Sequence, residues 1–161
     1  MLPNTRITSL ILALGCLGLI LTGLFMQHVL GFNPCALCIT QRVFIIAIGL
    51  VALLAFAHNP QSRGRRTYAL LGAVLAMGGA YFANHHIWLQ SLPADQAPAC
   101  GPGLEYIIDN FPLQDALDIL LRGDGNCADV IWSFMGLSIA GWTLVAFCGL
   151  LLINLWQLWR R

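Results

Sequence analysis

Four apolar runs, at about residues 7–30, 39–57, 67–89 and 130–158, are separated by two short joints and one long polar stretch. A helix needs about 17 to 25 residues to cross roughly 30 Å of hydrocarbon, so each run predicts one membrane span. The alternating ten-residue units of barrel strands are absent. Gly72, Gly78, Gly79, Gly136 and Gly141 fall inside the runs, where small residues let helices approach closely. The pattern predicts an all-α integral membrane protein, a bundle of four transmembrane helices forming a single membrane domain over residues 1–161. Its connecting segments are about 31–38, 58–66 and 90–129.

Composition agrees. Hydrophobic residues make up 58% of the chain and charged residues 9%, against roughly 25% charged residues in soluble domains. A soluble or nucleic-acid-binding protein is excluded on that ground, and little chain remains for a second domain.

The arginines orient the bundle, since the chain has no lysine. Arg6 precedes the first run, Arg63, Arg65 and Arg66 fill the joint between the second and third, and Arg160 with Arg161 ends the chain. The positive-inside rule puts all six on the cytoplasmic side, with both termini. Segment 90–129 holds every acidic residue and only Arg122, so it and segment 31–38 face the opposite side. Trp88 and Trp132 near one interface, and Trp156 and Trp159 near the other, fit aromatic anchors.

The first run continues past Cys16 to Met26, beyond the 7 to 15 apolar residues of a signal core. It reads as a span rather than a cleaved leader. Cys16 and Cys148 then fall mid-membrane, where free cysteines act as small hydrophobes. In the long segment, apolar residues between Leu104 and Leu121 are interleaved with Asp109, Asp115 and Asp118 and divided by Pro112. That pattern predicts two short amphipathic pieces near the membrane surface.

The remaining four cysteines carry the candidate chemistry. Cys35 and Cys38 form a Cys-x-x-Cys pair in the short segment, and Cys100 and Cys127 stand singly in the long one. Outside the cytoplasm thiols meet an oxidising environment, so pairing is their default state. A Cys-x-x-Cys pair is commonly redox-active, with one thiol of lowered pKa. Cys38 lies near the start of the second helix, where free amides favour a thiolate, and Arg42 follows one turn on, on the same face. Arg42 either stabilises an anion there or snorkels to the interface. Blander readings of the cysteines are a structural disulfide framework and a four-cysteine zinc site. Zinc ligands, however, come as two close pairs, whereas Cys100 and Cys127 are isolated.

Gln27-His28-Val29, the run Pro34-Cys35-Ala36-Leu37-Cys38-Ile39-Thr40-Gln41-Arg42, the single Cys100 and Cys127, and Trp132 soon after together resemble the DsbB family over nearly the whole chain. Gln41 departs from the acidic residue that can precede the arginine in relatives. The resemblance implies a disulfide-generating enzyme of the bacterial inner membrane. Such an enzyme reoxidises a DsbA-like periplasmic thiol oxidase and passes electrons to ubiquinone or menaquinone, kept oxidised by the respiratory chain. An oxidant of that type sits near about −120 mV, so its own oxidation needs a strong terminal acceptor. The resemblance further implies disulfides Cys35–Cys38 and Cys100–Cys127, attack of the partner at Cys100, transfer from Cys127 to Cys35, and Cys38 with Arg42 beside the quinone. His86, aligned with the family's end of helix three, enters as a quinone neighbour. His28, His85, Leu37 and Ile39 are weaker candidates that anchoring or packing explains as well.

Three other readings compete. They are a paralogue dedicated to a specialised partner, an enzyme like vitamin K epoxide reductase, and a disulfide-stapled scaffold with inert cysteines. In the second, the membrane-associated Cys-x-x-Cys lies in a later helix, whereas here it precedes the second.

Overall fold

The computed structural model describes residues 5–93, 96, 98 and 112–159. These form helices α1 (Thr5–His28), α2 (Ala36–His58), α3 (Ser62–Gln90), α4 (Leu113–Arg122) and α5 (Ile139–Trp159). Between α4 and α5 lie a 3-10 turn, Gly125–Cys127, and a hairpin of β1 (Ser133–Phe134) and β2 (Leu137–Ser138). Among the described residues α1, α2 and α5 are long and apolar enough to cross a membrane, and the chain is a membrane protein.

The third expected span is present as a continuous helix of 29 residues, but α3 does not reach the apolarity of the other three. Its buried face explains why. Ala69, Gly72, Ala73, Ala76, Gly79 and Ala83 recur there at helical spacing, and small side chains carry little hydropathy while letting neighbouring backbones come close. A Cβ on Gly79 would overlap the Phe147 ring of α5, and one on Gly78 would lie 2.7 Å from the Phe44 ring of α2. Accordingly α3 lies between α2 and α5, and α1 rests on α2. α1 and α5 make little contact with each other, which leaves a gap between them.

Among the described residues two buried clusters hold the bundle. One runs through its middle and includes Leu12, Cys16, Ile45, Ile48, Phe147 and Leu150. Cys16 is the small core residue the sequence predicts, whereas Cys148 is exposed on the lipid-facing side of α5. The second cluster, Ala36, Leu37, Leu89 and Cys127, joins the 3-10 turn to the ends of α2 and α3, with Ile119 and Leu120 of α4 packed against it.

Element ends differ from the apolar runs for identifiable reasons. Pro34 disfavours helix in Asn33 before it, Cys35 is extended, and α2 starts directly after it at Ala36, three residues before position 39. Cys38 therefore sits inside the first turn. Asn59 ends α2 in the left-handed region (φ 44°) and Pro60 follows, which cannot continue a helix. The joint expected at 58–66 shrinks to residues 59–61, because α3 runs through the arginines from Ser62.

The largest correction is to the fourth run. Helix starts at Ile139, not Val130. Met135 and Gly136 both have positive φ, at 52° and 81°, as a two-residue hairpin turn of the primed type requires. Ser133 pairs with Ser138 and Phe134 with Leu137. The Ser138 hydroxyl then caps α5 by accepting from the Gly141 amide at 3.3 Å, and it donates to Gln90 at the end of α3 at 2.7 Å. Of the two amphipathic pieces, the second is α4, tethered where Thr40 donates to the Leu120 carbonyl (2.6 Å) and His85 to the Arg122 carbonyl (2.9 Å). The first piece lies outside the described residues.

Gly79→Ala should destabilise the protein in detergent by about 1–3 kcal/mol, the usual cost of overpacking. Gly18→Ala, where nothing lies within 4 Å of the added methyl, should leave thermal unfolding nearly unchanged. Equal stability of the two variants would remove the close α3–α5 approach from the account.

Candidate active site

The site forms where the first turn of α2, the end of α3 and the 3-10 turn meet. Cys35 occupies the N-cap of α2, and the i, i+3 spacing brings the Cys38 sulfur to 3.1 Å from the Cys35 sulfur. Both are free thiols at that distance, which is longer than the roughly 2.05 Å of a disulfide. Cys127, also free, has no exposed surface. Its sulfur, that of Cys35 and a ring nitrogen of His86 all lie within 4.8 Å of one another. Cys100 lies outside the described residues, and with it the expected Cys100–Cys127 pairing and any four-cysteine site.

Electrostatics divide the labour between Cys35 and Cys127. The Cys35 thiol is pushed up, first by its hydrogen bonds to Cys127 and Cys38, then by burial and the neighbouring sulfur charges. Cys127 is held below the ordinary thiol range, chiefly because Cys35 donates to it and then because the Leu37 and Asp124 backbones do. Burial and the Asp124 carboxylate, whose Oδ1 is 3.4 Å from the Cys127 sulfur, oppose this. Asp124 is itself buried, and Asn126 donates to its Oδ2 at 2.9 Å. Cys127, whose thiol donates to Asp124 Oδ1, is thus a sulfur of lowered proton affinity within 4.8 Å of the Cys35 sulfur, a pairing that suits thiol exchange.

Arg42 does not snorkel out. Its Nη1 donates to Gln27 Oε1 at 2.6 Å and its Nη2 to the Gly23 carbonyl at 3.0 Å, both on α1. The guanidinium thereby edges a cavity of about 440 Å³ between α1 and α5, lined also by Cys35, Cys38, Gln41 and His86. Aromatic side chains of the hairpin region wall the far side. Trp132 stacks on Phe134 with centroids 5.9 Å apart, and Trp142 donates to the Phe134 carbonyl at 3.1 Å. The mostly apolar cavity with a few convergent polar groups suits a small organic ligand.

His86 is buried, with Nε2 at 3.6 Å from the Cys35 sulfur and Nδ1 at 3.2 Å from the Gln41 amide. The weaker candidates fall elsewhere. His28 is exposed, and His85 stacks on Trp88 and holds α4. Leu37 belongs to the second packing cluster, and neither it nor Ile39 lines the cavity. Sequence reasoning gave no role to Gln27, Gln41 or Asp124. Gln27 and Gln41 were legible as polar residues inside apolar runs, costly positions that mark function.

Removing the Cys35 donor should raise the proton affinity of Cys127. In Cys35→Ala, the thiolate ultraviolet absorbance of Cys127 should therefore rise with pH later than in the parent, in a background where the other loop cysteines are absent. A midpoint that stays put or falls would refute the assigned hydrogen bond.

Comparison with known proteins agrees with this geometry. The family model "Disulfide bond formation protein DsbB" matches residues 5–157. A protein of Saccharophagus degradans named "Disulfide bond formation protein B" is 57% identical over 160 residues, 99% of this chain and 96% of the relative. Proteins of the same name from Nitrosococcus oceani and Methylococcus capsulatus are 55% identical over 136 residues (84% and 80% of the two chains) and 46% over 159 (99% and 97%). With two of its thiols in contact at the end of a membrane bundle and a third beside them, the chain belongs to the DsbB family of disulfide-forming oxidoreductases.

Proposed function

We propose that the protein reoxidises a DsbA-like periplasmic thiol oxidase in the bacterial inner membrane and passes the electrons through two cysteine pairs to a membrane quinone. In this reading α3 is the remaining span, both termini are cytoplasmic, and the thiol end of the bundle is periplasmic. The arginine distribution supports that orientation, as does the gathering of Cys35, Cys38 and Cys127 at the end opposite Arg63, Arg65 and Arg66.

The observation that carries the reading is the cavity between α1 and α5, which brings Cys38 and Arg42 to one space. Partly exposed apolar residues of both helices line it, among them Leu19 of α1 and Trp142 of α5. A lipid-soluble ring with two carbonyl oxygens fits these walls. Ubiquinone or menaquinone bound there would supply the terminal acceptor for two electrons and two protons.

The chain's own residues supply the rest. The partner's thiolate attacks Cys100 of a Cys100–Cys127 disulfide, that bond breaks, and Cys127 is released as a thiolate. Cys127 then attacks Cys35 of a Cys35–Cys38 disulfide, forming Cys35–Cys127 and leaving the electron pair on Cys38 inside the cavity. The depressed proton affinity of Cys127 and the placement of its sulfur within 4.8 Å of the Cys35 sulfur support this step. Arg42, fixed by Gln27 and Gly23, keeps its charge beside the cavity, where it stabilises anionic sulfur or carbonyl oxygen.

Anaerobic turnover with reduced DsbA and a soluble quinone should show quinone bleaching that Cys38→Ser abolishes, while that variant still traps a mixed disulfide with the partner. Arg42→Ala should raise the quinone KM about tenfold, or roughly 1.4 kcal/mol, and leave the partner KM unchanged. Undiminished turnover by Cys38→Ser would take Cys38 out of the scheme. No bleaching, with cysteines inert to exchange, would make the protein a scaffold.

A further inference from the structure

We propose that Gln41 fixes the tautomer of His86, so that a neutral imidazole turns its Nε2–H toward the Cys35 sulfur and stabilises Cys35 as a thiolate when a disulfide to it opens. The proposal rests on the reading above that Cys35 is an exchange sulfur, and it concerns two residues to which that reading gives no role.

The Gln41 amide nitrogen lies 3.2 Å from His86 Nδ1. An amide nitrogen can only donate, so Nδ1 accepts, and the single proton of a neutral ring sits on Nε2. The His86 ring also lies against the Cys127 backbone carbonyl, which can only accept and therefore also calls for a ring N–H. Turning the amide over would put its oxygen on Nδ1, demand the proton there, and leave Nε2 with no proton to offer. Gln41 and His86 are each only 3% exposed, so each relies chiefly on protein partners. Nε2 is 3.6 Å from the Cys35 sulfur, within reach of a hydrogen bond to sulfur.

The chemistry this serves is the opening of a Cys35–Cys127 disulfide. An attacking thiolate forms its bond to Cys127, the Cys35–Cys127 bond breaks, and the electron pair stays on Cys35. His86 donates a hydrogen bond to that sulfur and keeps its proton. A thiol that leaves as a more stable anion leaves faster. Gln41 is accordingly a positioning residue, acting through the ring. The other titratable or charged groups near the pair are Cys38, Cys127, Asp124, His85 and Arg42.

Nitrogen-15 NMR of histidine-labelled protein in detergent tests the tautomer directly. The chain has four histidines, and His86→Gln identifies the signal. The expected spectrum has the proton on Nε2 and a bare Nδ1, and a proton on Nδ1 overturns the proposal. In Gln41→Glu, a near-isostere whose carboxylate can only accept, a proton should appear on Nδ1; an unchanged spectrum would show that residue 41 does not set the tautomer.

The thiolate role is read by alkylation of Cys35 with a charged, membrane-impermeant reagent, in a background lacking Cys38, Cys100 and Cys127. There, Gln41→Leu should slow the reaction about tenfold at neutral pH by raising its pH midpoint about one unit. An unchanged pH profile in that variant sinks the role at Cys35. Neither readout uses a quinone, so a parent protein that fails to reduce quinone would refute the proposed function while these measurements still decide the role of Gln41.

Discussion

The contact between Cys127 and the first turn of α2 places a sulfur from a polar connecting segment in an apolar cluster with Ala36, Leu37 and Leu89, with no exposed surface. Burying side chains such as Leu37 and Leu89 is worth about 1.5–3 kcal/mol each, enough to order a segment that no helix of its own would hold. Gly123 makes the approach possible. Its φ of 80° suits a residue without a Cβ, and a Cβ there would lie 2.9 Å from Leu37. The same burial would penalise a thiolate, so the cluster serves chemistry only because polar donors accompany it. The Cys35 thiol and the Leu37 and Asp124 backbones supply them. Apolar packing brings the sulfurs together, and the hydrogen bonds decide which of them carries the proton.

Arg42 poses the complementary problem of a permanent charge beside an apolar span. A guanidinium there is costly unless its donors are engaged, and two of them are, by Gln27 and the Gly23 carbonyl. Those partners come from α1 rather than from water at the interface, which is why the side chain edges the cavity. Planar, multiply donating geometry distinguishes arginine from lysine in such a place.

Sequence patterning made the helices legible because the apolar runs of α1, α2 and α5 are set by the thickness of hydrocarbon they match. It was less informative at element ends, where local chemistry overrides hydropathy. Val130 to Met135 reads as the start of a span, yet a positive-φ pair at Met135–Gly136 folds it into a hairpin. Ser62 to Arg66 reads as a joint, yet polar residues continue a helix readily once Asn59 and Pro60 have turned the chain. Cys35, Cys38, Cys127, Arg42 and His86 were all named from sequence and converge in space. The contacts of Gln27, Gln41 and Asp124 depend on which helix faces which, and a single sequence does not encode that in any local pattern.

The gap between α1 and α5 and the placement of the Arg42 charge are a single structural problem. α1 is held to the bundle mainly by α2, so the bonds from Arg42 on α2 to Gln27 and Gly23 are also clasps between those two helices. At residue 23 a Cβ would come within 3.3 Å of the Arg42 Nε, so a glycine there lets the guanidinium lie flat against the α1 backbone. A larger residue would push the charge off α1 and shift the wall it rests on at the same time. The width of the opening toward lipid and the position of Arg42 beside the thiols are therefore set by the same two hydrogen bonds, and neither can change without the other.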